Sequence, residues 1–90
     1  MERKKRGEFI RPDGVSSGEL DIYVSETLRG PNEPGLNDLR GWAPGVDWKF
    51  AAPLLVGDMQ CDLVFDGRRV RILVRGKGTD EDLTLRFERM

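Results

Sequence analysis

The chain predicts an all-β fold: a small antiparallel barrel or sandwich of five to six short strands, with a C-terminal three-stranded meander and a long Gly/Pro-rich loop. Three observations lead there. Asp66-Gly67 lies between two alternating apolar and polar runs, and both central residues of a type I′ hairpin turn need positive φ. Leu83-Thr84-Leu85-Arg86-Phe87-Glu88 alternates with period two a short polar loop later. Eleven glycines and five prolines along the whole chain suit a turn-rich β protein. Ninety residues make one domain with one modest core, read here as residues 8–90 behind a flexible basic N-terminal arm, residues 1–7.

Taken in order, Glu8-Phe9-Ile10-Arg11 reads as a short edge strand stopped by the turn Pro12-Asp13-Gly14. Glu19 to Val24 alternates, with Leu20, Ile22 and Val24 inward and Tyr23 outward. Residues 25–45 are so crowded with Gly and Pro that no long element fits. One helical turn, Asn37-Asp38-Leu39-Arg40, capped by Asn37 and stopped at Gly41, is the most the segment allows. Val46, Trp48 and Phe50 then recur on alternate residues and read as the buried side of a strand interrupted by Pro53. Leu54-Leu55-Val56 resumes that strand, and Gly57 bends it into the meander.

A two-residue turn at Asp66-Gly67 sets the meander's first register on paper. Phe65 faces Arg68, Leu63 faces Val70, Cys61 faces Ile72 and Met59 faces Val74. The opposite side pairs Val64 with Arg69, Asp62 with Arg71, Gln60 with Leu73 and Asp58 with Arg75. A slip of one residue would move every apolar side chain to the wrong face. The last strand, returning through residues 76–81, is expected to pair Leu83 with Val74, Leu85 with Ile72 and Phe87 with Val70. That register sets Arg75 against Asp82, Arg69 against Glu88 and Arg71 against Arg86.

The chemistry is mostly absent. There is no histidine, which removes the usual neutral-pH base and every histidine-based nucleophile or zinc site. The single cysteine, Cys61, falls on the predicted core face and reads as a small buried hydrophobe in a reducing compartment. Gly76-Lys77-Gly78-Thr79 lacks the spacing and following helix of a phosphate loop. Asp80-Glu81-Asp82 lacks the spacing of an EF-hand. No cofactor or metal is expected, and no enzyme. No apolar run approaches a membrane span, and no apolar stretch follows the basic N-terminus, so a cytoplasmic location is expected.

Two functional readings remain. The first is a non-enzymatic protein-binding module, of the kind seen in small prokaryotic or phage inhibitors, immunity proteins and accessory proteins, acting by surface occlusion. Its partner-binding surface is the irregular segment 30–45, with Trp42 as anchor and Asn32, Asn37, Asp38 and Arg40 around it; an open sheet edge is a further means of contact. The alternative is a nucleic-acid-binding barrel, SH3-like or OB-like in strand count alone. It would use Arg69, Arg71, Arg75, Lys77 and Arg86 together with the basic arm. Residues 1–6 carry four basic groups and one acid, so residues 7–90 hold a net −4, which disfavours a body built to grip phosphates. Asp58, Asp62, Asp82 and Glu88 are expected to neutralise the arginine row within the sheet.

Overall fold

The computed structural model describes residues 2–27, 38–79 and 81–90. They form β1 (Glu2–Ile10), β2 (Leu20–Thr27), β3 (Asp38–Ala43), α1 (Trp48–Val56), β4 (Gln60–Phe65), β5 (Arg68–Gly78) and β6 (Leu83–Arg89). The strands close into one barrel in the order β1-β2-β3-β6-β5-β4, every neighbouring pair antiparallel. It is built from two meanders, β1–β3 and β4–β6, linked by α1. Their first strands pair with each other, and so do their last.

The β4–β5 hairpin has the expected register from Phe65–Arg68 to Gln60–Leu73. Its turn residues have φ of 52° at Asp66 and 72° at Gly67, as a type I′ turn requires. The ladder ends two residue pairs early. Met59, at φ 57°, gives its carbonyl to the Val74 amide at 2.7 Å but leaves its side chain 40 % exposed, so neither Met59 nor Asp58 joins the strand.

The β5–β6 register differs from expectation. Leu83 pairs with Gly78 and Phe87 with Val74, a displacement of four residues along β5. Gly76-Lys77-Gly78 is strand rather than loop. The shift is even, so Leu83, Leu85 and Phe87 still point inward, although each meets a different partner.

Three further expectations are overturned. Residues 2–7 are no arm: they form most of β1, paired along β2. Their charges conceal an ordinary pattern, in which Gly7 and Phe9 face the core while Lys5 bonds Asp66 at 2.9 Å and Arg6 bonds Asp21 at 2.9 Å. Asp38–Arg40 is not a helical turn but the start of β3, with Leu39 buried and backbone ladders on both sides. Of the irregular segment, residues 28–37, including Asn32 and Asn37, lie outside the described residues.

The third is the strand at Val46–Phe50, which gives way to α1. Asp47 caps the helix by accepting the Lys49 amide at 3.1 Å. Val46 and Phe50, four apart, satisfy period two and period 3.6 alike. Ala51 and Leu54 complete the buried helical side and leave Trp48 43 % exposed. The helix closes one end of the barrel. Arg11, beyond β1, donates to the Phe50 carbonyl at 3.2 Å and sits 5.6 Å from the Phe50 ring centre. Leu55 rests on Gly76, where a Cβ would come within 2.6 Å of a leucine methyl.

One continuous core results, from Phe9 and Ile22 through Leu63 and Ile72 to Leu85 and Phe87. Phe9 and Phe87 meet edge to face at 5.8 Å across the barrel. Each such fully buried side chain contributes about 1.5–3 kcal/mol by leaving water. Cys61 is buried as expected, and that burial pushes its thiol up to about 12.

Candidate functional site

Strand pairing brings two of the sequence-derived residue sets onto one outer face. Across β2, β3, β6 and β5, Tyr23 lies beside Trp42, Trp42 beside Arg86, and Arg86 beside Arg75. The next row runs Ser25, Arg40, Glu88 and Leu73. Cross-strand neighbours on one face lie close enough for their side chains to touch, so these rows form a continuous surface. A shallow groove of about 880 Å³ runs over it.

Trp42 is half-buried. Its indole stacks on Tyr23 with ring centres 4.2 Å apart and planes 12° from parallel. Its Nε1 donates to a Glu2 carboxylate oxygen at 3.1 Å. Beneath it, Gly41 lets β3 pass over the core: a Cβ there would fall 2.7 Å from the Phe87 ring and collide with the Tyr23 carbonyl.

The arginine row divides in two. Asp62 on β4 grips Arg69 at 2.6 Å and Arg71 at 2.7 Å. Those bonds, Arg69 foremost and then Arg71, hold the Asp62 carboxyl below its ordinary range despite partial burial. This half is neutralised as the sequence leads one to expect. The other half is not: among the described residues Arg40, Arg75, Lys77 and Arg86 make no ion pair. Asp58, Asp82 and Glu88 do not serve them, because the β5–β6 register sets Arg75 directly against Arg86. Like charges in that position destabilise a sheet.

Trp42 and Arg40 thus join Arg75 and Arg86 in one site. Lys77 lies further along β5, opposite Thr84, and Asp38 stands at the start of β3. Arg69 and Arg71 belong with Asp62, apart from the groove. Tyr23 and Leu73 were not singled out from sequence, and Glu88 was expected only as a counter-charge to the arginine row. Tyr23's outward position on β2 was legible, but its neighbour on β3 was not.

Among the described residues no group of three His, Cys, Asp or Glu converges as a metal site, and no buried side-chain polar atom lacks a hydrogen-bond partner. No helix among them is long and apolar enough to cross a membrane. No protein-family model matches the chain, and no curated protein or solved structure matches it at a significant level.

Proposed function

We propose that the protein is a non-enzymatic binding module that occludes a partner protein's surface through the outer face of β2, β3, β6 and β5. One observation carries the reading. A stacked Trp-Tyr pair adjoins three guanidiniums, two of them directly opposed, that make no ion pair among the described residues. Tryptophan, tyrosine and arginine are the side chains that dominate interface energetics, and Leu73 and Glu88 complete an apolar-and-polar surround. A partner carrying carboxylates would relieve the Arg75–Arg86 opposition that the free protein tolerates. The reading includes the cytoplasm as its setting, supported by a lone buried thiol that needs no oxidising compartment.

The alternative, binding of single-stranded nucleic acid, draws on the same surface, because aromatic faces beside arginines suit bases and phosphates. Capture from host-cell lysate, followed by titration with oligonucleotides at two salt concentrations, separates the two. Under the protein reading, a specific protein is retained by the wild type. Trp42→Ala lowers its affinity about 30-fold, as loss of a hot spot of about 2 kcal/mol would. Oligonucleotide affinity that is sub-micromolar and falls steeply with salt would replace this reading with the other.

A further inference from the structure

Away from α1, the barrel's second mouth has a different character. β4 leaves β1 early: the two pair only over Gly7–Ile10, after which Asp66-Gly67 turns the chain into β5. β1 continues, and Glu2–Arg6 pairs with β2 alone among the described residues. Alternate residues of that stretch direct backbone N–H and C=O groups toward the side β4 has left, which is the template a further strand needs.

Among the described residues no strand occupies that side. A cleft of about 290 Å³ lies between this edge and the β4–β5 turn, with Val24 and Phe65 as its apolar floor. Two ion pairs bridge it. Lys5 bonds Asp66 at 2.9 Å, and Arg68 grips Glu26 with both guanidinium nitrogens, at 3.0 and 3.3 Å, while lying 4.6 Å over the Phe65 ring. Arg3 makes no ion pair among the described residues, and Lys4 reaches Asp21 only at 3.7 Å. The edge is therefore basic on both sides, Arg3 toward the cleft and Lys4 toward solvent.

We propose that this mouth is a strand-addition site for an extended, acidic segment of a partner protein. The segment pairs with the backbone of Glu2–Lys5 and sets its carboxylates against Arg3 and Lys4. Charge decides the occupant. A second copy of the same edge would oppose Lys and Arg to Lys and Arg, which disfavours it. The same lysines that protect an edge from promiscuous pairing admit a segment of opposite sign. This site adjoins the groove at Glu2, whose carboxylate accepts the Trp42 indole, but it uses the β1 backbone with Arg3 and Lys4, whereas the groove uses mainly outer side chains of β2, β3, β5 and β6.

The probe is a capped peptide, Glu-Glu-Val-Glu-Glu-Val-Glu, which as a strand carries carboxylates on both faces, titrated against the full chain with amide hydrogen exchange as the readout. Saturable binding is expected, with alternate amides between Glu2 and Lys5 exchanging at least tenfold more slowly in the complex. N-methylation of the peptide's central residues on both of its edges keeps the charge and removes the donors, and it should weaken binding tenfold or more. Arg3→Glu, at an exposed position without an ion pair, should do the same, while Leu73→Ala, on β5 at the far side of the groove, binds the peptide unchanged. No saturable binding, equal binding by the N-methylated peptide, or binding without protection of the β1 amides would each overturn the proposal. None of these results bears on whether the groove binds its own partner.

Discussion

The β4–β5 and β5–β6 hairpins share a strand yet are closed by different means. At Asp66-Gly67 two residues with positive φ make the whole turn, and a Cβ added to Gly67 would meet nothing within 4 Å. At the other end Gly78, at φ 111°, leads into Thr79–Asp82, where Thr79 and Asp82 exchange backbone hydrogen bonds of 3.3 and 3.2 Å. A Cβ on Gly78 would run into the Asp82 carbonyl. The outer faces differ accordingly. Between β4 and β5 the register delivers a carboxylate, Asp62, to two arginines. Between β5 and β6 it delivers an arginine to an arginine. The first hairpin is built for stability. The second gives up a little stability and exposes charge beside Trp42, which is where a binding surface would gain from it.

The contrast can be broken most forcefully at Gly78. Gly78→Ala combines a disfavoured φ with a backbone collision, and about 3 kcal/mol of stability should be lost. Chemical denaturation measures this, and a loss below about 1 kcal/mol would mean that the β5–β6 turn does not set its register. Gly67→Val comes next. It meets strain without collision, so a loss of about 2 kcal/mol is expected, smaller than at Gly78. If Gly67→Val proved the more damaging change, the two-residue turn would be organising both hairpins.

Asp62→Asn should cost about 1 kcal/mol, a modest figure because both arginines are largely exposed. The variant also tests pH dependence. The folded Asp62 carboxyl titrates below the free value of 3.8, so its contribution is complete above that value and is lost as pH falls through the lower, folded one. The stability difference between wild type and Asp62→Asn should accordingly shrink in acid below 3.8, and a difference that persists there would assign the effect to packing. The smallest effect is at the other hairpin. Arg86→Thr removes a like-charge opposition and should raise stability by about 0.2–1 kcal/mol, visible as a slightly higher Tm. A drop instead would show that Arg86 is held by favourable contacts on its own sheet.

Local pattern by itself determined a good deal. The alternation of Cys61, Leu63 and Phe65 against Val70 and Ile72, joined by Asp66-Gly67, carries its own register because a two-residue turn leaves no freedom. Alternation in Leu83, Leu85 and Phe87 determined which side of β6 is buried, but parity alone cannot say which residue on β5 each one meets. Only the tertiary structure decided that, by running Gly76 and Gly78 into the strand, where Gly76 accepts Leu55 from α1. It also decided the state of Val46–Phe50: five residues fit either period, and the open barrel end that buries Phe50, Ala51 and Leu54 lies far away in sequence. The groove was illegible for the same reason. Trp42, Arg40, Arg75 and Arg86 were each visible, but β3 becomes a strand only through ladders to β2 and β6, and those non-local hydrogen bonds make the four residues neighbours.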